Sequence, residues 1–547
     1  MKKFLFSILV VLPLMAYAQY KSQVWSPDNG DGTYKNPVIH ADYSDPDVIA
    51  VGDDYYLTAS SFECFPGLPI LHSKDLVNWE IISYALPCSY RSSMTRGDGV
   101  WAPSIRYHNG EFYIYWGDPD RGVYRVKSKY PEGPWESPVL VVRGRGLIDP
   151  CPLWDDDGKC YLVNGWAGSR SGFNSVLTVR ELSADGTRPV GDPVIVFDGG
   201  NDNHTAEGPK FYKRDGWYWI LCPAGGVATG WQLAMRSKSP YGPYECKKVL
   251  SQGKTDVNGP HQGAWVHTAF GEDWFLHFQD KGCYGRVLHL QPVDWSSGWP
   301  IIGKKGQPVS TFRKPKSRST AIMNPVESDE FNRTRLGLQW QWEGSYDQRF
   351  GMPMSNGMMR LYTYRLVSKT WTGDIIRSPQ KERNLWTVPN LLLQKIPAEQ
   401  FTATAKIRFA AKADHQYGGI IMMGRDYSDL VVERIGDEFQ LQQRTCIGAD
   451  DKGKETVNVL ATLKPTARDQ IPYSPAIYLD LYLRMIVDHG KCRFAYSLNG
   501  KKFTNVGDAF TMKEGKWIGA KMGFVSEETN TQSNRGWIDA DWFRVTK

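Results

Sequence analysis

The segment RDGWYWILCP at residues 214–223 decides the fold, because a polar Asp-Gly turn leads directly into a run of aromatic and aliphatic residues. A turn of this kind before such a run is typical of a β-hairpin. The same pattern recurs in the N-terminal half as GDDYYLTASS, HNGEFYIYWG, DDGKCYLVNG and GEDWFLHFQD. Aligning the five segments places one aromatic residue at the same point of each: Tyr56, Tyr113, Tyr161, Tyr218 and Phe275.

A second segment precedes each hairpin and is predicted to be the strand that feeds it. These segments are SDPDVIAV, WAPSIRY, IDPCPLW, AEGPKFY and HQGAWVH. Five similar units of short antiparallel strands are typical of a β-propeller. The alternative, unrelated hairpins in a sandwich, does not explain spacings of 57, 48, 57 and 57 residues between the aligned aromatics. We therefore predict an all-β fold with a five-bladed β-propeller over residues 30–305.

The pattern changes after the propeller. Residues 306–326 are rich in Lys, Ser and Pro and are predicted to be a linker. Residues 327–547 contain longer alternating strands such as FTATAKIRFAA and IYLDLYLRMIVD, which predict a lectin-like β-sandwich. Sugar binding by Trp340, Trp342 and Tyr346 is one interpretation of this domain, but we expect these residues to pack in its core or against the propeller.

The N-terminus has the pattern of a secretory signal. Lys2 and Lys3 precede an apolar run from Phe4 to Met15, and Ala16-Tyr17-Ala18 is a cleavage signal. We therefore expect residues 1–18 to be a signal peptide and the protein to be exported, either periplasmic or secreted. No later stretch is apolar enough to predict a membrane span.

Composition excludes some classes of partner. The chain has 65 Lys and Arg against 59 Asp and Glu, and these residues are scattered, so nucleic acid is not the expected partner. The nine cysteines form no C-x-x-C pair and no zinc spacing. We expect most of them to be buried free thiols. One or two disulfides are the alternative that the sequence allows. No oligomeric state is predicted.

Residues at the start of the five feeding strands should meet around one axis, because the first strand of each blade lines the central channel. The aligned repeats place Asp45, Trp101, Asp149, Glu207 and His261 there. A buried carboxylate is costly unless it is paired or functional, and three of these five positions carry one. One carboxylate alone would be a turn residue or a strand cap. Three in register predict a shared site.

Three carboxylates, without a nucleophilic Ser or Cys motif or a metal triad, indicate acid–base chemistry. Inverting glycoside hydrolysis uses one carboxylic acid and one carboxylate, about 6.5–9.5 Å apart so that a water fits between them. Nearby like charges raise the pKa of the acid and keep it protonated near neutrality. The alternative from another class is a non-catalytic carbohydrate-binding protein, which should keep the aromatics but lack one of the carboxylates.

At these residues the sequence resembles glycoside hydrolase family 43, the inverting five-bladed β-xylosidases and α-L-arabinofuranosidases. The resemblance covers about residues 35–305 and rests on KNPVIHADYSDPDV, SSFECFPGLPILHSKDLVNW, WAPSI, GLIDPCPLW, AEGPKFYKRDGWYW, HQGAWV and GRVLHLQPVDW. The C-terminal sandwich is similar to the extra domain of xylosidase-type members. Together these motifs are specific, whereas each alone would be weak.

The resemblance implies a role for each acid. Asp45 is expected to be the general base that activates water, and Glu207 the general acid that protonates the leaving oxygen. Asp149 is expected to orient Glu207 and hold its pKa up. Asp47 lies in the same DPD triplet, and strand alternation alone leaves both Asp45 and Asp47 open as the base. The family places the base before the proline.

The resemblance also implies the residues that bind the sugar. Phe62 and Trp101 are expected to line the subsite for the non-reducing residue, and Arg286 to hydrogen-bond the terminal sugar or, alternatively, to pair with a channel carboxylate. His261 is expected under the pocket floor, where some members have Ca2+ or a water-filled metal site. No cofactor is expected to be required.

These features favour an exo-acting enzyme that releases terminal xylose or arabinofuranose from plant hemicellulose oligosaccharides. A β-xylosidase is favoured by the FPGLP and HSKDLVNW segments and by the appended sandwich. An α-L-arabinofuranosidase or an arabinanase of the same family is the alternative. An endo-arabinanase needs an open groove, which loops from the sandwich would block.

Overall fold

The computed structural model describes residues 20–91, 94–365, 368–369, 375–376, 384–469, 476–529 and 535–547. The predicted signal peptide, residues 1–18, lies outside them and stays a prediction. Across the described ranges, no helix has the length and apolar character needed to cross a membrane. The helices there are short: Gly168–Ser171 is α-helical, and Gly282–Tyr284, Leu385–Thr387 and Ala449–Asp451 are 3₁₀ turns.

Five four-stranded antiparallel sheets follow one another along the chain and form the blades of a propeller. Blade 1 contains Asp47–Val51, Asp54–Thr58, Gly67–Ser73 and Trp79–Leu86; blade 2 contains Trp101–His108, Glu111–Asp118, Gly122–Ser128 and Val139–Arg143. Blade 3 contains Leu147–Trp154, Cys160–Trp166, Val176–Leu182 and Val194–Asp198. Blade 4 contains Lys210–Arg214, Trp217–Ala224, Trp231–Ser237 and Glu245–Ser251; blade 5 contains His261–His267, Asp273–Asp280, Arg286–Asp294 and Ile301–Ile302.

Each aligned aromatic of the repeat lies in the second strand of its blade, which confirms the repeat as the unit of the fold. Every blade is one continuous stretch of chain. The ring is clasped by the segment before blade 1, where Ile39 pairs with Leu288 of blade 5 and the Tyr34 hydroxyl donates to the Leu290 carbonyl at 2.7 Å. Strand Thr33–Lys35 also pairs with Thr311–Arg313 of the segment that follows blade 5.

The C-terminal domain is a β-sandwich, as predicted, and its described residues form two eight-stranded sheets. One sheet contains Gln341–Trp342, Leu392–Lys395, Lys521–Glu528, Gln416–Met423, Tyr427–Ile435, Glu438–Cys446, Glu455–Leu463 and Tyr364–Arg365. The other contains Gly351–Met354, Met358–Tyr362, Trp537–Thr546, Gln400–Ala411, Ile477–Asp488, Lys491–Ser497, Thr504–Thr511 and Ala467–Arg468. Strands Ser368–Lys369 and Ile375–Ile376 form a separate pair.

Burial alternates residue by residue along Ile477–Asp488, because one face of each sandwich strand packs on the core. Trp340 and Trp342 are buried, as expected for packing residues, whereas Tyr346 is 42% exposed. Trp342 also joins the two domains. Its backbone N–H donates to the Phe65 carbonyl at 2.7 Å, and the Phe65 N–H donates back to Trp342 at 3.1 Å.

All nine cysteines are free thiols, and six of them are buried. This confirms that most are buried free thiols. The one or two disulfides that the sequence allowed are not formed. Burial raises the pKa of the Cys246 thiol to about 11, although part of its side chain reaches solvent. No disulfide therefore contributes to the stability of the fold.

Two buried histidines on neighbouring strands of blade 5 predict a loss of stability in acid. His277 and His289 are stacked with ring centroids 5.4 Å apart, and burial lowers the pKa of His277 to about 4. The neutral form stabilises the fold fully above the unfolded pKa of about 6.5, and the free energy of unfolding falls by about 1.4 kcal/mol per pH unit as pH drops toward 4. Urea unfolding of His277→Gln between pH 7 and 4 should show a shallower acid slope than wild type. An unchanged slope would contradict this account, and exposed His267→Gln is the control.

Candidate active site

The five blades share a backbone kink where their first strands begin at the channel. Left-handed φ angles occur at Asp45 (55°), Ala102 (31°), Asp149 (55°), Gly208 (58°) and Gln262 (37°). Asp is among the non-glycine residues that tolerate this conformation best. In four of the five blades the kinked residue directly precedes a proline.

This kink corrects the predicted register. Asp45 and Asp149 are equivalent, but Trp101, Glu207 and His261 each lie one residue before the kinked position of their own blade. Counting back from the aligned aromatics misplaced them because the hairpins differ in length. Aligning the residues directly before the prolines would have given the correct register in blades 1 to 4, whereas blade 5 has Gly263 in place of the proline.

Asp45 lies in a dense network of donors and is 6% exposed. The hydroxyls of Ser44 and Ser60 donate to its Oδ2 at 2.7 and 2.6 Å, and Arg286 Nη1 contacts its Oδ1 at 3.0 Å. Ser60 Oγ also accepts the Ala102 N–H at 2.7 Å, so blade 2 helps to hold the carboxylate of blade 1. These contacts orient both oxygens of Asp45 at the channel mouth.

Asp149 of blade 3 lies next to Glu207, which precedes the first strand of blade 4. The Gly208 N–H donates to Asp149 Oδ2 at 2.7 Å, and a Cβ built on Gly165 would lie 3.6 Å from both Asp149 Oδ2 and Glu207 Cα. Burial raises the pKa of Asp149 to about 7, and the Asp45 charge adds to it. Burial, then Asp149, then Asp45 raise the pKa of Glu207 to about 8, although a third of its side chain is exposed. The structure thus brings the three predicted acids into one electrostatic unit.

Asp47 has a different environment from Asp45. It is fully buried, where Arg106 Nη1 donates to its Oδ2 at 2.6 Å and the Ile105 N–H donates at 2.7 Å. The equivalent atom in blade 3, Cys151 Sγ, accepts the Phe211 N–H at 3.1 Å. Asp47 is therefore a structural link between blades 1 and 2, which favours Asp45 over Asp47 as the base, and that role stays a prediction.

An aromatic wall of three residues, Phe62, Trp101 and Trp517, closes one side of this mouth. The rings of Phe62 and Trp101 lie edge to face at 6.2 Å, and Trp101 meets Trp517 of the sandwich at 6.1 Å. Phe62 is only 2% exposed and packs behind Trp101, so its direct contact with sugar stays a prediction. Trp517 is 45% exposed. Nothing in the local sequence marked Trp517, because it lies far along the chain from the blades.

Comparison with known proteins identifies the family. The profile described as Glycosyl hydrolases family 43 matches residues 34–300, over the blades that carry these acids. The chain belongs to glycosyl hydrolase family 43. Residues 328–546 match the Beta xylosidase C-terminal Concanavalin A-like domain. This protein is therefore a glycoside hydrolase, which answers the alternative of a non-catalytic carbohydrate-binding protein.

Relatives of this family 43 enzyme cover nearly all of its length. A protein from Xylanibacter ruminicola is 35% identical over 93% of this chain and 89% of its own. The protein named Beta-xylosidase from Formosa agariphila is 31% identical over 97% of this chain and 93% of its own. A solved structure of a GH43 protein from Bacillus licheniformis has a TM-score of 0.78 at 26% identity, covering 94% of this chain and 99% of that chain.

His261 lies beneath the acids and is fully buried, with Nε2 3.6 Å from Glu207 Oε1. Burial and the Arg286 charge lower its pKa to about 3. Ca2+ takes six to eight oxygen ligands, and a nearby guanidinium opposes a second cation. These residues do not fit a Ca2+ ion held directly by protein side chains. The Ca2+ or water-filled metal site under the pocket floor, which the resemblance implies for some members, stays a prediction.

Asp149→Asn is expected to move the pH profile of this family 43 enzyme. Removing the Asp149 charge should lower the pKa of Glu207, so the alkaline limb of kcat/KM should shift to lower pH by about one unit. The measurement is kcat/KM for xylobiose from pH 4 to 10. An unshifted alkaline limb would contradict the coupling, and Asp156→Asn, on an exposed turn, should leave the profile unchanged.

Proposed function

We propose that this family 43 enzyme is an inverting, exo-acting β-xylosidase that removes terminal xylose from hemicellulose-derived oligosaccharides. The observation that carries the proposal is the separation of roles among three clustered acids. Glu207 is held protonated near neutrality by burial and by its acidic neighbours, whereas Asp45 is oriented by two hydroxyls and Arg286. Hydrolysis with inversion requires one general acid and one general base at the same pocket.

In the proposed mechanism the terminal sugar enters between the acids and the aromatic wall. Glu207 donates its proton to the leaving oxygen as the glycosidic bond breaks. Asp45 accepts a proton from a water that attacks the anomeric carbon from the opposite face. Asp149 stays beside Glu207 and keeps its pKa high, which readies the acid for the next turnover.

Exo action is supported by the loop of the sandwich domain at the pocket. Trp517 meets Trp101, and a Cβ on Gly97 would come within 3.0 Å of the Trp517 ring and within 2.8 Å of Lys516. A pocket closed on one side by a second domain favours the end of a chain over its middle. The same contact disfavours the endo-arabinanase alternative, which needs an open groove.

We favour xylose over arabinofuranose as the proposed substrate, because the relative that matches 97% of this chain is named Beta-xylosidase. The relative named Non-reducing end alpha-L-arabinofuranosidase, from Bacteroides ovatus, matches 76% of this chain at 31% identity and keeps the second activity as the alternative.

The test is a comparison of kcat/KM on 4-nitrophenyl β-xyloside, 4-nitrophenyl α-L-arabinofuranoside and linear arabinan. We expect the xyloside to be cleaved with the highest kcat/KM, and xylo-oligosaccharides to release xylose alone from the start of the reaction. A higher kcat/KM on the arabinofuranoside, or early release of longer products, would overturn the proposed substrate or the exo action respectively.

A further inference from the structure

A buried group of charged residues lies where the propeller meets the sandwich. Glu63, Cys64 and Arg96 come from the propeller, and Glu343 and Lys521 come from the sandwich. Each of these residues has less than a tenth of its surface exposed. We call these five residues the interdomain charge cluster. None of them takes part in the chemistry proposed above, so their burial requires another explanation.

Glu343 is the centre of the cluster. Its fully buried carboxylate pairs with Arg96 through Oε2 and with Lys521 through Oε1. Lys521 Nζ also donates to Cys64 Sγ at 3.0 Å. Taking such charges out of water is costly, and removing one partner leaves the others uncompensated. The sandwich therefore cannot shift against the propeller without separating buried opposite charges.

The cluster is connected directly to the aromatic wall through Gly97. The Gly97 N–H donates to Glu63 Oε2 at 2.8 Å, and the Gly97 carbonyl accepts from Trp101 Nε1 at 2.9 Å. Cys64 packs with Phe62 and Ile518, the residue after Trp517. The backbone of Gly97 thus links the charged side chains to the Trp101 ring of the aromatic wall.

We propose that the interdomain charge cluster holds the aromatic wall in the position that binds the terminal sugar. Glu343 is its main positioning residue. The proposal rests on the proposed function of the pocket. A cluster that only held the two domains together would affect stability, whereas one that positions the wall must also affect substrate binding. Measuring KM and kcat separates the positioning role from a purely stabilising one. Losing a contact that binds substrate and transition state equally raises KM and leaves kcat unchanged.

The test compares Glu343→Gln with Glu399→Gln in the full-length protein. Glu399 also joins the domains, through Lys281 and His40, but it belongs to a different ion-pair group. We expect Glu343→Gln to raise KM for xylobiose by about 10-fold while kcat stays within about 3-fold, and Glu399→Gln to leave KM within about 2-fold. Equal changes of KM in the two variants, or no change in Glu343→Gln, would overturn the proposal.

A double variant provides a rescue. Glu343→Gln combined with Lys521→Met removes one charge of each sign and should bring KM at least part of the way back from the raised value of Glu343→Gln toward the wild-type value. If Glu343→Gln does not fold, Lys521→Met alone takes its place under the same criteria. A KM in the double variant that is higher still, beyond the combined effect of the two single changes, would overturn charge balance as the cause.

Amide hydrogen exchange supplies a readout that does not depend on the substrate. Residues 513–519, which include Trp517, should exchange faster in Glu343→Gln than in wild type or Glu399→Gln. Unchanged exchange in that loop would overturn the positioning role. If the wild-type enzyme cleaved no xyloside, the proposed function would fail, yet the exchange comparison would still decide whether the cluster holds the wall.

Discussion

Glu207→Gln is expected to lower kcat for xylobiose by about 10³-fold, because the leaving sugar oxygen then departs without a proton. The loss should be much smaller for 2,4-dinitrophenyl β-xyloside, whose leaving group needs no protonation. The amide keeps the shape of the side chain, so the variant should fold. The measurement is kcat for both substrates, side by side, in wild type and variant.

The control for this prediction is Glu181→Gln. Glu181 pairs with Lys159 on the outside of blade 3 and should give wild-type kcat for both substrates. A Glu207→Gln variant that lost the same factor on xylobiose and on the dinitrophenyl substrate would not be missing a general acid. Near-normal turnover of xylobiose would remove Glu207 from the chemistry altogether.

Asp45→Asn is expected to lower kcat by about 10³-fold or more on both substrates, because the attacking water needs its base whatever group leaves. The equal loss on both substrates distinguishes Asp45 from Glu207, whose loss should be much smaller on the dinitrophenyl substrate. The Ser44 and Ser60 hydroxyls can turn to accept from the new amide, so the fold should survive. Activity that recovers with the better leaving group would contradict the role of base.

Asp47→Asn is the matched control for Asp45→Asn, since both change a DPD aspartate. Asp47 pairs with Arg106 in the blade interior, so its loss should lower the free energy of unfolding by about 3–5 kcal/mol. The folded fraction should keep its kcat. Urea unfolding combined with kcat per active site, titrated by a tight-binding inhibitor, separates the two effects.

The propeller was predictable because its signal repeats. Tyr56, Tyr113 and their three counterparts recur within hairpins whose turn chemistry and β-forming residues are local properties. Asp45 and Asp149 were predictable for the same reason, since a repeated kink before proline places them at one end of the channel. The register of Glu207 was missed because counting back from the aromatics assumes one hairpin length in every blade, whereas alignment on Pro209 would have placed Gly208, not Glu207, at the kink.

Contacts between the two domains could not be predicted from local patterns. Glu343 follows strand Gln341–Trp342 and Lys521 begins strand Lys521–Glu528, and Glu343 pairs with both Lys521 and Arg96 of the propeller, far away in sequence. Trp517 reaches the pocket from a short loop with no repeat to align. Such pairings depend on how two finished domains pack, which alternation and turn chemistry within one segment do not determine. The pocket therefore combines a predictable ring of acids with an unpredictable wall.

Hydrolysis with inversion is the central claim, because it requires Glu207 and Asp45 to act on opposite faces of one sugar. Proton NMR of the first product from a β-xyloside tests it most directly, before the released sugar equilibrates between its anomers. Inversion at the anomeric carbon should give α-xylose first, and the β-anomer should grow in later by mutarotation. Initial release of β-xylose would show retention and would contradict the assignment of Asp45 as the base.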